Sequence, residues 1–483
     1  MNSSTLNHFL VIITLAINTI FPSINSDISW SPTVLITSKE AMRWTKIIAD
    51  NTSLLHAFWV SPIRGDTTNV YTAQYHSIFL ANSNGNNQWS EPTNIIFDAR
   101  PINGLSVVSV GNTYHVFWNS DCIHHSYVDL KDINNPWKWL STETCIASPS
   151  YPESFDVAVD QNNNDIILVY STGSVLKIQS SSDNGVDWSF PVTVAEATDV
   201  KGAIAATYPK VTISTDGILL IVWTAVSSEM HNNSDLLGVF FTRSTDGGKT
   251  WLSPPYQIGD AGEGQANIIA LDKTQVHVIW NSRVGTSERF HRWSADNGST
   301  WSDKEIILNR VQGGYTGIPG LISDQNNQVL TLLGTDSGVR FMTWINGKWT
   351  QPVNFGSTHD GETWTTGLVW SGMDKVCAYW NASRPVMRIA ITCKGKTSES
   401  LPTITYSNRN ESALPKIKPT LPDSTLMAKS STPKQNNLSQ YSSINSSDQL
   451  TTSLSFPLIV SGGLVNLFLF LFLFFVIRGR LNR

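Results

Sequence analysis

The sequence predicts an all-β protein assembled from repeated units. An eight-residue turn motif, Ser-x-Asp-x-Gly-x-x-Trp, occurs three times, at residues 181–188, 244–251 and 294–301. A short apolar strand with an aromatic residue near its end also recurs, at intervals of roughly fifty to sixty residues. Such regular self-similarity is typical of repeat architectures, in which each unit packs only on its neighbours.

The recurring strands are short, β-branched and aromatic, as strands buried on both faces are. A degenerate copy lies at 329–334, and the clear copies are 55–60 (LHAFWV), 114–119 (YHVFWN), 167–171 (ILVYS), 220–224 (LIVWT), 276–281 (VHVIWN) and 376–381 (VCAYWN). Their spacing suits the four-stranded blades of a β-propeller. The count favours seven blades and leaves six open, in case one blade has been counted as two.

The two ends of the repeat region predict how the ring closes. The last unit, from about Glu362 to Lys394, supplies three strands before the sequence turns polar. Residues 30–36 (WSPTVLI) resemble the segment that follows the turn motif elsewhere, such as 89–96 (WSEPTNII). We therefore expect an N-terminal strand to complete the last blade, because a closed ring leaves no exposed sheet edge.

The turn motif itself predicts a structural role. Its aspartate is expected to accept hydrogen bonds from nearby backbone N–H groups, its glycine to adopt a positive φ, and its tryptophan to cover the turn. The residues concerned are Asp183, Gly185 and Trp188, then Asp246, Gly248 and Trp251, then Asp296, Gly298 and Trp301. None of these features requires catalysis.

Both ends of the chain carry targeting features. Apolar residues 9–21 predict a signal peptide, and apolar residues 456–477 are long enough for one transmembrane helix. Arginines follow that helix, so the propeller is expected outside the cell, in a single-pass type I protein of the cell membrane. The expected order is a signal peptide (1–26), a propeller ectodomain (27–396), a disordered Ser/Thr/Asn/Pro-rich stalk (397–455), a transmembrane helix (456–477) and a basic tail (478–483).

The cysteines and glycosylation sequons fit an extracellular chain. The four cysteines bracket two hairpins, which predicts the disulfides Cys122–Cys145 and Cys377–Cys393. Candidate N-glycosylation sites are Asn51, Asn232, Asn297, Asn381 and Asn410, with further sequons at Asn437 and Asn445. The formal net charge of −5 argues against a nucleic-acid partner.

The turn motif resembles the Asp box of the sialidase (neuraminidase) superfamily of BNR-repeat β-propellers. In that family the Asp box joins the third and fourth strands of a blade, far from the active site. The resemblance implies a site in which three arginines hold a substrate carboxylate by paired N–H donors. It also implies a tyrosine nucleophile activated by a glutamate, and an aspartate as acid/base.

Several residues match parts of that site. Arg43, in the segment Met-Arg-Trp-Thr before Ala57-Phe58, matches the first arginine of the family. The stretch from Glu263 to Trp301 resembles the family's glutamate strand followed by its second arginine, Arg283. Arg340 is the candidate for the third arginine. Each arginine has a second interpretation, an ion pair at the surface or between blades.

The catalytic part of the resemblance is incomplete. Asp66 lies roughly where the acid/base is expected, within a Gly-Asp pair that is also an ordinary turn. The segment 361–365, where the nucleophile is expected, contains no tyrosine. Tyr315 replaces it only if the blade count is wrong. The retaining mechanism depends on that tyrosine.

These observations favour a membrane-anchored, sialidase-like propeller that binds glycans or protein partners without catalysis. The alternatives are an anchored exo-α-sialidase or related glycoside hydrolase, and a structural surface protein with no pocket. No His, Asp or Glu cluster has the spacing of a metal site, and no cofactor is implied. Trp44, Trp364 and Trp370 are the tryptophans that we expect to contact a ligand.

Overall fold

The structure of the chain is a computed structural model. It describes residues 29–37, 43–62, 76–85, 88–148, 155–227, 235–272, 274–282, 288–309, 317–335, 338–356, 363, 365–382 and 388–395. Within these residues the chain forms seven antiparallel sheets, arranged as the blades of a β-propeller. The prediction of seven blades is confirmed.

The blades follow one another along the chain, and each runs from its innermost to its outermost strand. The first three are β2 (Arg43–Ala49), β3 (Leu55–Pro62), β4 (His76–Asn82) and β5 (Thr93–Asp98); β6 (Leu105–Val110), β7 (Thr113–Asn119), β8 (Ile123–Asp129) and β9 (Thr144–Ala147); and β10 (Phe155–Val159), β11 (Ile166–Ser171), β12 (Val175–Ser181) and β13 (Val192–Glu196). A short helix, α1 (Pro136–Ser141), lies between β8 and β9.

The next two blades are β14 (Ala205–Ile213), β15 (Leu219–Val226), β16 (Leu236–Ser244) and β17 (Tyr256–Gln257), then β18 (Gly264–Ala270), β19 (Val276–Asn281), β20 (Arg289–Ser294) and β21 (Glu305–Leu308). The sixth blade is β22 (Gly320–Ser323), β23 (Val329–Thr335), β24 (Gly338–Ile345), β25 (Lys348–Trp349) and β26 (Val353–Phe355), and the seventh is β27 (Thr366–Trp370), β28 (Lys375–Ala382), β29 (Arg388–Gly395) and β1 (Val34–Leu35). In the sixth blade both short strands, β25 and β26, pair with β24.

The inner strands form a closed ring around a central channel. Each inner strand contacts the next in the order β2, β6, β10, β14, β18, β22, β27, and β27 contacts β2 again. All inner strands therefore start at one end of the ring, which we call the upper face. The first-to-second and third-to-fourth strand connections lie at the opposite end, the lower face.

The apolar core consists of layers between neighbouring blades. Large clusters join blades one and two, three and four, four and five, and seven and one, and smaller ones fill the other junctions. The recurring strand is the second strand of each blade, and its tryptophans are almost fully buried: Trp59, Trp118, Trp223, Trp280 and Trp380. The predicted burial on both faces follows from this stacking of sheets.

The turn motifs have the predicted geometry. In the second copy the Asp246 carboxylate accepts hydrogen bonds from the Thr250 backbone N–H at 2.9 Å and its hydroxyl at 2.6 Å. These bonds lower the pKa of Asp246. The Ser244 hydroxyl accepts from the Gly248 N–H at 2.8 Å, and Gly248 has a φ of 87°. Asp183 and Asp296 make equivalent bonds.

The predicted closure and disulfides are confirmed. Strand β1 pairs antiparallel with β29, so the N-terminal strand completes the last blade. Cys377 and Cys393 face each other across β28 and β29 and form a disulfide. The Ser31 N–H donates to the Cys393 carbonyl at 2.8 Å, which places the disulfide beside the seam. Cys122 and Cys145 form the second disulfide.

The sequons differ in accessibility. Asn51 is exposed on the turn between β2 and β3. Asn297 is 7% exposed and Asn381 is fully buried, with its amide oxygen accepting from the Thr365 N–H at 2.6 Å. Since attachment of a glycan requires an exposed amide, the folded chain presents Asn51 best of these three. Asn232, Asn410, Asn437 and Asn445 lie outside the described residues.

The predicted signal peptide, stalk, transmembrane helix and basic tail also lie outside the described residues. Within the part of the chain that the structure describes, no helix has the length and apolar character needed to cross a membrane.

Candidate functional site

The upper face carries the three described residues that the sequence matched to the family's site. Arg43 is the first residue of the inner strand β2, and Glu263 directly precedes the inner strand β18. Arg340 is the third residue of β24, opposite Leu333 of β23. Asp66, Arg283, Tyr315 and Trp364 lie outside the described residues, as does the side chain of Arg43.

Glu263 is buried and fully engaged. Its side chain is 10% exposed, and its Oε2 accepts the Trp280 indole N–H at 2.7 Å and the Asp260 backbone N–H at 2.9 Å. Its Oε1 pairs with the Lys304 ammonium at 2.8 Å. Lys304 also contacts Asp260 and lies 4.7 Å from the centre of the Phe290 ring. The carboxylate therefore joins the loop before blade five to β19 and to the residue that directly precedes β21.

The second blade repeats this arrangement. Asp98 accepts the Trp118 indole N–H at 3.0 Å, and Trp118 occupies the same strand position as Trp280. Asp98 is 5% exposed and also pairs with Arg100 at 3.1 Å. A buried indole N–H needs an acceptor, and in these two blades an acidic residue that precedes the inner strand supplies one. The sequence signal is an acidic residue about twenty positions before the tryptophan: 20 for Asp98 and 17 for Glu263.

We expect Glu263→Ala to lower the free energy of unfolding by about 3 kcal/mol, because it leaves the Trp280 N–H and one side of Lys304 unpaired. Glu263→Gln keeps an amide oxygen for Trp280, so a loss of about 1 kcal/mol is expected. Chemical denaturation of both variants measures the difference. Asp98→Ala and Asp98→Asn should show the same order in blade two. Wild-type stability of Glu263→Ala would indicate a carboxylate available for chemistry.

Arg340 lies on the face of blade six that packs against blade five. Its guanidinium donates to the Val339 carbonyl at 3.3 Å, and the side chain is half-buried. Its strand partner Leu333 packs against Ile279 of blade five. A second arginine in this region, Arg289, is 2% exposed and donates to the Gly334 carbonyl at 3.0 Å. Burial lowers the pKa of Arg289 to about 10.

A feature that the sequence did not reveal is a repeated bulge in the inner strands. Trp44, Tyr208 and Gln265 have φ values of 51°, 51° and 54°, which is the left-handed region. Each interrupts the pairing of its inner strand with the second strand of the blade. Left-handed non-glycine residues cost free energy and often mark binding or catalytic regions.

The bulges position side chains near the upper face. Trp44, a predicted ligand contact, is half-buried and donates its indole N–H to the Ile102 carbonyl at 3.2 Å. The Gln265 side chain accepts from Asn281 at 3.2 Å. Trp370, the other predicted contact that the structure describes, is the last residue of β27 and hence at the lower end of the ring. Its indole N–H donates to Ser323 at 2.7 Å.

The upper face of blade two holds a charged cluster. His124 contacts Asp121 at 2.9 Å and Glu143 at 3.1 Å, and Arg100 also pairs with Asp121. Burial opposes protonation, but the bonds to Glu143 and Asp121 raise the pKa of His124. Asp121, Cys122 and His124 lie close enough to share a metal ion, but the Cys122 sulfur is in a disulfide. The geometry is that of an ion-pair network.

Comparison with solved structures identifies several similar folds. An ulvan lyase of polysaccharide lyase family 25 is 11% identical over 74% of this chain and 95% of its own, with a TM-score of 0.51. A protein of unknown function from Dyadobacter fermentans is 14% identical over 76% of this chain and 99% of its own, with a TM-score of 0.48. The NanB sialidase of Streptococcus pneumoniae is 11% identical over 75% of this chain and 70% of its own, with a TM-score of 0.42.

Sequence comparison supplies the family. No curated protein matches the chain. The family model described as BNR repeat-like domain matches residues 53–417, which is most of the chain. This range starts beside the second strand of blade one and includes the three Asp boxes. The chain therefore belongs to the BNR repeat-like domain family of sialidase-like propellers.

Proposed function

We propose that this protein is a membrane-anchored cell-surface propeller that binds glycans at its upper face without hydrolysing them. The observation that carries the proposal is that the Glu263 carboxylate is fully occupied by hydrogen bonds and an ion pair. Both of its carboxylate oxygens are used by Trp280, Asp260 and Lys304, and Asp98 makes the corresponding bond in blade two. A glutamate with these partners holds the blade together and is poorly placed to activate a nucleophile.

The sequence supports the same conclusion. Residues 361–365, where the resemblance places the nucleophile, read Gly-Glu-Thr-Trp-Thr. Loss of a covalent nucleophile reduces catalysis by many orders of magnitude. The anchor is supported by the apolar run 456–477 followed by arginines.

The ligand class is proposed from the fold and the upper face. The ulvan lyase that shares the fold is bound to a saccharide written -[GlcA(1-4)Rha3S]-. On the upper face of this chain, Arg43 is the first residue of the inner strand β2, and the bulge at Trp44 follows it directly. A guanidinium suits a carboxylate, and a tryptophan suits the apolar face of a sugar ring. Acidic glycans are therefore the class to test first, with a protein ligand as the other possible partner.

One observation favours hydrolysis as the second candidate. Arg43 starts an inner strand and Glu263 immediately precedes another, so both belong to the upper face, where the resemblance requires them. Under this candidate, Asp66 is the acid/base and Arg283 and Arg340 complete the carboxylate grip. The seven blades remove the condition on which Tyr315 would be the nucleophile, so this candidate requires a nucleophile from elsewhere. The two candidates differ in whether a bound sialoside is cleaved.

The test uses the full-length chain in detergent micelles, on an array of acidic and neutral glycans and with a fluorogenic α-sialoside between pH 4 and pH 8. We expect binding to acidic glycans, weakened at least tenfold in Arg43→Ala and Arg283→Ala, and no release of the fluorophore. Lys138→Ala, on the exposed side of α1, is the control. Turnover that disappears in Arg283→Ala would establish the hydrolase, and neither binding nor turnover would leave a protein ligand.

A further inference from the structure

A cavity lies on the lower face at the junction between blades seven and one. Four residues of the apolar cluster that joins these two blades line it: Leu55 and Trp89 of blade one, and Ile391 and Cys393 of blade seven. Including its opening to solvent, the cavity measures about 370 Å³. Its enclosed part is narrow, so it suits an inserted apolar side chain better than a separate ligand.

The chain leaves the last blade beside this cavity. Strand β29 is the third strand of blade seven, so it runs from the upper face to the lower face and ends there at Gly395. Cys393, which lines the cavity, comes two residues earlier, and two extended residues span about 7 Å. The segment that follows Gly395 therefore starts next to the opening of the cavity.

The family match continues beyond the last strand. It extends to residue 417, whereas β29 ends at Gly395. The first part of the predicted stalk therefore belongs to the matched domain. Within it, residues 401–406 read LPTITY, and Ile404 and Tyr406 alternate with threonines. This alternation is typical of a strand that packs one face on protein, and it is absent from a purely polar linker.

The cavity also offers a complementary charge to this segment. Lys375 lines the cavity, and among the residues that the structure describes it belongs to no ion pair. Gly395 is the strand partner of Lys375, and Glu399 follows Gly395 by four residues, within reach of the ammonium group. An exposed ion pair stabilises little, so the apolar contact carries most of the affinity.

We infer that residues 401–406 dock into this cavity, with the side chain of Ile404 between blades seven and one. The segment then fastens blade seven to blade one from the C-terminal side, just as β1 completes blade seven from the N-terminal side. The docking surface lies on the lower face and uses none of Arg43, Glu263 or Arg340. It therefore stands whether or not the proposed glycan binding is correct.

Hydrogen exchange of the full-length protein in detergent micelles, read by mass spectrometry, tests the docking. Backbone amides exchange slowly where local opening costs free energy. We expect the amides of 401–406 to exchange at least about tenfold more slowly than those of 420–450. Ile404→Ser should bring the two rates together, because it removes the side chain that fills the cavity. Leu426→Ser, beyond the family match, is the control and should leave the exchange of 401–406 unchanged.

A covalent trap locates the docked segment. Ser83 also lines the cavity, so Ser83→Cys combined with Ile404→Cys should form a new disulfide, detected by mass spectrometry. Ser83→Cys combined with Leu426→Cys is the control, in which any effect of the first substitution on folding is the same, and it should give about tenfold less linked product. Exchange of 401–406 as fast as that of 420–450 would overturn the inference. Protection with equal cross-linking in the two pairs would also overturn it, since the segment would then lie elsewhere.

Discussion

Replacing Gly298 with alanine is expected to lower the free energy of unfolding by about 3 kcal/mol, from a left-handed backbone and from overpacking. Gly298 has a φ of 77°, and an added Cβ would lie 2.3 Å from Cζ of Phe241 in the preceding blade. Phe241 is fully buried and packs edge-on against Trp301, so its ring has no space into which to withdraw. Chemical denaturation of the purified protein measures the loss.

The Asp box of blade four provides the matched control. Gly247 also has a positive φ, of 72°, but an added Cβ would meet nothing within 4 Å. The other two boxes carry Asn184 and Asn297 at that position, both left-handed. We expect Gly247→Ala to cost about 1 kcal/mol, from the backbone alone. Equal losses in Gly247→Ala and Gly298→Ala would show that the contact with Phe241 carries no free energy.

The contact between Gly298 and Phe241 indicates a second role of the Asp boxes, at the junctions between neighbouring blades. Gly185 of blade three faces His125 of blade two in the same way that Gly298 faces Phe241, with an added Cβ 2.5 Å from the His125 ring. Asn184, beside Gly185, contacts the ring of His115 at 3.0 Å. Each box therefore closes its own hairpin and fills the junction with the preceding blade.

The sequence predicted the repeat and the local turn, since both depend on residues close together in the chain. The positive φ of Gly185, Gly248 and Gly298, the bonds to the aspartates and the closure by β1 are confirmed. The contact from each box to the preceding blade was not predictable, because it joins strands from different repeats. Sequence spacing within one repeat contains no signal for it.

The same limit applies to contacts between the inner strands and to the candidate site. Lys210 and Asp156 pair across neighbouring blades although they are 54 positions apart. Nothing near either residue in the sequence indicates this pairing. For Glu263 the resemblance suggested a catalytic role, whereas its bond to Trp280 depends on a loop geometry that repeats in blade two. Measurements of unfolding free energy and sialoside turnover in Glu263→Ala and Glu263→Gln decide between these roles.

Acid is expected to destabilise the propeller through two buried histidine pairs. The rings of His115 and His125 stack with a nitrogen–nitrogen distance of 3.0 Å, and those of His277 and His291 do the same at 2.9 Å. All four side chains are fully buried. Burial lowers the pKa of His115 to about 4, and burial with the neighbouring ring lowers those of His125 and His277 to about 3 and about 2.

The direction of the effect follows from these pKa values. Because they lie below the ordinary 6.5, the unfolded chain binds protons that the folded protein does not. Stability is therefore unaffected above about pH 6.5 and decreases below it, by about 1.4 kcal/mol per pH unit for each histidine. At pH 5 this amounts to about 2 kcal/mol for each ring that stays neutral in the folded state.

Charged neighbours modify this result in blade five. Glu305 lies 3.4 Å from His291 and favours its protonation, although burial dominates and lowers the pKa of His291. Outside the pairs, the raised pKa of His124 acts in the opposite direction and adds some stability as the pH falls. We therefore expect the blade two pair, which has no carboxylate contact among the described residues, to contribute the larger share of the acid sensitivity.

Blade four shows which apolar residues fit at the positions of a histidine pair. Blade four carries Leu220 and Phe241 at the positions that His115 and His125 occupy in blade two. The double variant H115L/H125F should therefore pack without titrating. Unfolding free energies measured from pH 8 to pH 5 should fall steeply in the wild type and by about 4 kcal/mol less in the double variant, about 2 kcal/mol for each ring removed. Parallel curves for the two proteins would mean that the acid sensitivity lies elsewhere, because the variant has no ring left to protonate at this junction.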